Sequence, residues 1–455
     1  TGAAGADPLE RVPPLDGRLR VDAPALAGAA DDFGHLVSHR PMAVLEPGSV
    51  RDVAVMTGHC RRHRIPVAAR GRGHATNGQA QTAGGLVIDM GTLRDIRVRE
   101  DSADVQAGAR WSEVLRATLP RGLTPPVLTD YLELSVGGTL SAGGLGGASQ
   151  RHGAQTDNVL ELEVVTGDGE RFVCSRGRRA ALFHAVLAGL GQCAIIIRAT
   201  VRLRPAPATV RRYRLGYPGV AALTADQRRV VRDGRFAYVE GQVEPAPDGA
   251  AGWRHVLEAV AFHRAGPPPD DTTLLGDLSH LRGTEEIDDL PYRDFLDRLA
   301  PGVADLESIG EWARPHPWFN MLLPGSATDA FVSDVLEDLA PADIGASGVI
   351  LLYPIPRPRL GTPLLRVPEE PLVFLFALLK TASVGAADPA TMVRANRELY
   401  ERLRKAGGHR YPVGSVPVSH AEWREHYGSA WPRFAAAKRR HDPMGILAPG
   451  QGVFP

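Results

Sequence analysis

Residues 69–80 read ARGRGHATNGQA, a loop with three glycines, one histidine and no apolar side chain larger than alanine. It follows the strand-like run IPVAAR (65–70) directly and leads into another, GLVIDM (85–90), so it joins two strands of an α/β unit. Glycine admits the left-handed conformations through which successive N–H groups converge on an anion, and it lets a ligand approach the main chain. Arg70, Gly71, Gly73, Asn77 and Gly78 are therefore a candidate cradle for a diphosphate. The plain alternative is a tight turn that carries a surface histidine. A dinucleotide fingerprint does not fit: Gly71-Arg72-Gly73 is followed by Thr76 where a third glycine belongs, and a strand comes next instead of a long helix.

Upstream, PMAVLEP (41–47) is a short apolar run. Ser49 with Asp52 three places on is a capping-box pattern that opens the helix VRDVAVMTGHCRRHR (50–64). Downstream, VLELEVVTGDGERFVCS (159–175) reads as a hairpin about Gly167-Asp168-Gly169. RRAALFHAVLAGLG (178–191) has helical spacing and ends in glycines suited to a helix C-cap, and CAIIIRATVRLRP (193–205) is a further strand. From about residue 206 to 420 the chain changes character. Pro-rich acidic loops (VEPAPDGAAG, RAGPPPDDTT) precede two runs apolar enough for central strands, VILLYPIPRPRL and PLVFLFALLKTA. The tail returns to a helix and a Gly/Pro loop, and no internal repeat is present.

At 455 residues, two domains are expected. Lys plus Arg and Asp plus Glu number 52 each, which argues against nucleic acid or an anionic membrane as the main partner. Only Lys380, Lys405 and Lys438 are lysines, a bias toward arginine read as coding preference. Cys60, Cys174 and Cys193 are too few and too scattered for a disulfide framework or zinc site. His59 and His63 share a helix face, but arginines surround them and no acid lies nearby, so no metal is expected. No apolar run is long enough to span a membrane. The opening TGAAGAD resembles the remnant of processing, which leaves a cytoplasmic or an exported location open.

A second glycine cluster, LTDYLELSVGGTLSAGGLGGASQRHG (128–153), is too bare for regular structure and suits a flat ligand lying on backbone, or else is a glycine-rich surface loop. Together with RGRGH, VLELEVVTGDGE, GLGQCAIII, YVEGQV, PHPWFNMLLPGS and HDPMGILAPGQGVF, it resembles the flavoproteins of the vanillyl-alcohol oxidase superfamily, and within them the cytokinin dehydrogenases. The resemblance runs over nearly the whole chain. It implies a two-domain α+β fold: an FAD-binding domain from residues 1–205 and 421–455, and an α+β substrate domain from 206–420.

What the resemblance implies for the site is specific. His74 holds the position that is joined covalently to the flavin 8α-methyl, although Ala75 replaces the usual serine after it. The stretch 128–170 has no cysteine, so a single histidyl link is expected. FAD contacts are expected from Arg70, Gly71, Arg72, Gly73, His74, Ala75, Asn77, Gly78 and Gln79. The second cluster and the later motifs add Thr129, Asp130, Val136, Gly137, Gly138, Ser141, Gly144, Gly191, Ile195 and Gln451. Cys193, Ala194 and Ile197 depart from the family pattern near the adenine end. Asp130 is the expected proton acceptor from a substrate amine, a task suited to a carboxyl in a largely apolar pocket; capping a local turn is its alternative role. Glu240 is a second catalytic candidate, expected at the pocket entrance, with edge-strand solvation as the alternative. Trp318 and Asn320 are expected in the pocket wall, although a buried Trp is more often plain core.

The implied reaction is oxidation of a secondary amine's C–N bond with hydride transfer to flavin N5. N6-isopentenyladenine is the leading substrate, and oxygen or a quinone-like compound the electron acceptor. The alternatives are a tailoring oxidase of secondary metabolism acting on another amine or alcohol, and a flavin-carrying protein that binds a small molecule without turnover.

Overall fold

The computed structural model describes Leu9 and residues 11–246, 252–263 and 266–455. The opening TGAAGAD and parts of both Pro-rich acidic loops lie outside the described residues. The fold is α+β, built around three main sheets.

β1 (Arg18–Arg20), β2 (Ala43–Glu46), β3 (Val67–Arg70) and β4 (Leu86–Asp89) form a sheet ordered β1-β2-β4-β3, with β2 and β3 parallel to β4. The helix Val50–His63 links β2 to β3 and buries Val53, Met56 and Cys60, a helical spacing. The quoted glycine loop is the link between the parallel neighbours β3 and β4. The capping box does not form. Ser49 is the N-cap residue without a cap bond, because Asp52 is committed elsewhere: it accepts from the N–H groups of Asp16 (2.9 Å), Gly17 (2.7 Å) and Gly48 (2.9 Å). A short-range signal thus serves a long-range bond that ties down the N-terminal segment.

β5 (Ile96–Val98), β6 (Ser102–Gln106), β7 (Leu123–Thr124), β8 (Val159–Thr166), β9 (Arg171–Ser175), β10 (Ala194–Arg202) and β11 (Arg204–Pro205) come next. Five of them form the antiparallel sheet β5-β6-β10-β8-β9, while β7 pairs with β11. The expected hairpin is β8–β9. The helix after it is shorter than expected. It spans Ala180–Val186, and Leu187 is already extended, well before the glycines. Tertiary hydrogen bonds win here: Ala188 N–H donates to Leu140 O and Leu190 N–H to Ser141 O, both at 2.9 Å, with Ala188 and Leu190 at positive φ. Residues 188–191 therefore lie along the second glycine cluster instead of capping a helix.

β12 (Thr209–Tyr217), β13 (Tyr238–Pro245), β14 (Trp253–His263), β15 (Glu286–Pro291), β16 (Phe319–Pro324), β17 (Val349–Pro356), β18 (Leu372–Leu379) and β19 (His409–Tyr411) make an antiparallel sheet ordered β15-β12-β14-β13-β17-β18-β16-β19. The two apolar runs are interior strands, β17 and β18. Side chains alternate across a strand. Val239, Val243, Met321, Leu323, Ile350, Leu352, Phe374 and Phe376 pack under the helices Val220–Asp233, Thr328–Asp338 and Pro389–Lys405. The alternation turns Glu240, Gln242, Asn320, Tyr353 and Leu375 the other way, toward the glycine segments. After the helices His420–Tyr427 and Trp431–His441, the tail lies beside the edge strand β3, with Val67 N–H donating to Ile446 O (2.7 Å) and Ala448 N–H to Val67 O (2.8 Å).

Candidate active site

A cavity of about 900 Å³ lies between the eight-stranded sheet and the two glycine segments. Its wall is bare backbone at Gly71, Gly73, Gly137, Gly138, Gly144 and Gly191. Gly71 shows why: a Cβ there would sit 1.9 Å from Ser135 Oγ, at the entry to the helix Val136–Ala142. Arg72, His74, Ala75 and Gln79 line the same wall, with Thr129, Asp130 and Ser141 from the second cluster, then Ile195, and Gln451 from the tail. Trp318 and Asn320 face them from the sheet side. The Nδ2 of Asn320 is buried without a hydrogen-bond partner among the described residues.

Four of the expected FAD contacts are not brought to this wall. Val136 is fully buried core. Asn77 N–H donates to Gln79 Oε1 (2.8 Å) and Gly78 N–H to Asp32 Oδ2 (2.7 Å), so both brace the loop. The Arg70 guanidinium props Gly73 from behind and donates to Asp31 O (2.5 Å). Sequence reasoning missed the segment that does the bracing, residues 31–35. Besides Asp32, it supplies Phe33 N–H to Gly73 O (2.8 Å) and Gly34 N–H to Ala75 O (3.1 Å). From the segment after β19, Ser415 Oγ donates to Thr76 O at 2.8 Å. Glycine density advertised the loop, but nothing local advertised its brace.

His74 sits in a column of rings. Phe33 stacks on its imidazole at 4.0 Å between centroids, Tyr131 lies over it at 4.9 Å, and His316 stacks on the far face of Phe33 at 3.9 Å. Trp312 and Trp318 close the sides. His74 also lines the cavity. Burial, with His316 and Arg72 adding to it, pushes His74 down to about 3, so its ring is neutral at neutral pH with a lone pair available.

Asp130 is not in apolar surroundings alone. Its Oδ1 accepts from Tyr238 Oη (2.7 Å) and from Arg298 Nη2 (2.9 Å), while Oδ2 has no hydrogen-bond partner among the described residues. Arg298 also reaches Glu258, Nε to Oε1 at 3.3 Å, and Glu258 is held in turn by Arg212 Nε at 2.6 Å. Glu240 is not at an entrance. It is fully buried, is absent from the cavity wall, and neither carboxyl oxygen has a hydrogen-bond partner among the described residues. Burial, then the charge of Asp130, pushes its pKa well above the usual carboxyl range, with Arg298 opposing. A carboxyl so placed keeps its proton. Tyr238 stands two places before Glu240 in the YVEGQV motif and was within reach of sequence reading; Arg298 had no such signal.

The arrangement suits an extended, partly flat ligand on a glycine-lined wall, with an aromatic column at one side and an acid at the other. The size is that of a cofactor-plus-substrate site, and FAD fits the residues present. A family model described as "FAD binding domain" matches residues 41–175, and one described as "Cytokinin dehydrogenase 1, FAD and cytokinin binding" matches residues 270–454. The chain is 36% identical over 513 residues to cytokinin dehydrogenase 1 of Oryza sativa subsp. japonica, covering 100% of this chain and 96% of that one. The chain belongs to the cytokinin dehydrogenase family.

As a cytokinin dehydrogenase-like protein it is an FAD-dependent oxidoreductase acting on a small molecule. A bacterial relative is more similar still: an uncharacterized oxidoreductase encoded as ORF5 of the fasciation locus of Rhodococcoides fascians is 41% identical over 437 residues, covering 96% of this chain and 99% of that one. Cytokinin dehydrogenase 1 of Arabidopsis thaliana is 35% identical over 481 residues, covering 97% and 83%. The two matched segments carry the glycine loops with Asp130 and the wall with Arg298, Trp318 and Gln451. Tyr238, Glu240 and Glu258 lie between them. No helix among the described residues is long and apolar enough to cross a membrane.

Proposed function

We propose that this enzyme oxidises the C–N bond of a secondary amine and that N6-isopentenyladenine is its substrate. The observation that carries the reading is Asp130: a carboxylate on the wall of the cavity, with one oxygen fixed by two donors and Oδ2 unpartnered among the described residues. That oxygen takes the amine proton as the C=N bond forms, and water then hydrolyses the imine to adenine and an aldehyde. FAD, when bound, accepts the two electrons as hydride. The glycine-lined wall with Arg72, Gln79, Ser141 and Gln451 would hold it, within a domain made of residues 1–205 and 421–455 that faces a substrate domain of 206–420. The neutral, stacked His74 supports a single covalent link to the flavin, since an uncharged imidazole is the nucleophilic form. Ala75 leaves that link without a neighbouring hydroxyl. Trp318 offers a flat apolar face for the purine, and the unpartnered Asn320 amide a donor.

The test is an anaerobic titration of the flavin-loaded protein with isopentenyladenine, followed at the blue absorption band. Rapid bleaching is expected, and Asp130→Asn slows it by about 100- to 10,000-fold. Unchanged bleaching in the variant would remove Asp130 as the base. A wild type that stays oxidised would transfer the reading to another amine or alcohol, or to binding without turnover.

A further inference from the structure

We propose that Arg298 is a positioning residue that holds Asp130 as an oriented anion for the proton-transfer step. This inference rests on the reading of Asp130 as the proton acceptor. Arg298 comes in the turn after the helix Tyr292–Leu296, and its side chain is only 10% exposed. Its guanidinium lies against the rings of Phe295 (4.6 Å to the centroid) and Tyr238 (5.2 Å), which fixes its plane. In that plane Nη2 donates to Asp130 Oδ1 at 2.9 Å and to Tyr238 Oη at 2.6 Å, and Tyr238 donates on to the same Oδ1. Asp130, Tyr238 and Arg298 thus close a triangle that immobilises one carboxylate oxygen of a residue on the cavity wall.

Charge gives the second reason. Three carboxyls converge here, Asp130, Glu240 and Glu258, with Tyr238 and Tyr353 beside them and Arg298 and Arg212 as the cations. Glu240 stays protonated and Glu258 is neutralised by Arg212, so Arg298 is the cation that balances Asp130. Without it, Asp130, Glu258 and the buried acid of Glu240 would share one arginine, and the negative charge of Asp130 would go unbalanced. Tyr238 alone could orient Asp130, but it carries no charge. The fork geometry also separates arginine from lysine, since only a planar guanidinium reaches Asp130 and Glu258 together.

Flavin-loaded wild type, Arg298→Gln and Arg298→Lys are compared by stopped-flow reduction with isopentenyladenine across pH. In Arg298→Gln the reduction rate falls by about 10- to 100-fold with little change in the substrate concentration needed for half-saturation. The acid side of its pH profile moves up by about one unit or more. Arg298→Lys restores the charge and hence the wild-type pH profile, while the rate stays below wild type. If the glutamine variant does not load flavin, the lysine variant decides by the same split of rate from half-saturation. Flavin-loaded Arg298→Gln with the wild-type rate and pH profile overturns the proposal, as does a loss that appears only in melting temperature. Wild type that isopentenyladenine and other amines do not reduce overturns the proposed function and this inference with it; wild type reduced alongside an unaffected variant overturns the inference alone.

Discussion

Replacing Glu240 by glutamine should stabilise the protein, and by an amount that grows with pH. The group is fully buried, neither oxygen is hydrogen-bonded, and burial with the Asp130 charge raises its pKa well above the usual range. In the unfolded chain a glutamate ionises near about pH 4.3. Above that pH the folded state holds a proton that the unfolded state has released, so wild-type stability falls as pH rises, by about 1.4 kcal/mol per pH unit, until the buried acid itself ionises. Glutamine has the same shape and no proton to lose. The stability difference, variant minus wild type, therefore starts within about 1 kcal/mol of zero at low pH. Each two units of pH on the slope then add about 2.7 kcal/mol. Urea unfolding of both proteins, followed by tryptophan fluorescence at a series of pH values, measures the difference directly. A difference that does not change with pH would mean that Glu240 is ionised in the fold, and the charge balance drawn around Arg298 would be wrong.

Burial also depresses His316 and His409 to about 4 each. Their contribution is present above the unfolded value of about 6.5 and is lost as pH falls toward the folded one, so at about pH 5 each should cost about 2 kcal/mol, read as a lower urea midpoint than at neutral pH. Wild-type flavin should remain with acid-precipitated protein, whereas His74→Ala should release all of it; flavin freed from wild type would rule out the covalent link. Gly71→Ala forces a Cβ to 1.9 Å from Ser135 Oγ. It should lower stability by about 1–3 kcal/mol and reduce flavin content, and Ser135→Gly in the same chain should recover most of both.

Where the structure departs from expectation, the competing force is tertiary. Asp52 had the spacing of a cap partner, yet bonds to three N–H groups that include two from the N-terminal segment, 35 and 36 residues away. The glycines after Val186 had the look of a helix stop, yet hydrogen bonds to Leu140 and Ser141 pull the chain out of the helix earlier. Asn77 and Gly78 belong to a cradle-like pattern, but the buried carboxylate of Asp32 claims the Gly78 N–H.

Sequence by itself determined the parts whose physics is local: the glycine-dense loops that leave backbone bare, the β8–β9 hairpin, the apolar runs of β17 and β18, and the α+β class. It also placed His74 and Asp130 within recognisable motifs. The surroundings of those residues were decided only by tertiary structure. Phe33 and His316 meet around His74 because the braced segment 31–35 and the turn before β16 converge on one loop. Arg298 meets Asp130 across 168 residues, a pairing that no spacing rule encodes. Glu240 was legible as an edge-strand acid, but β13 pairs with β14 on one side and β17 on the other, and the acid ends fully buried with its pKa pushed up by that burial. Local patterns depend on chain geometry and can be read along the sequence; charge balance and burial depend on what else arrives at the same point, which only the folded chain determines.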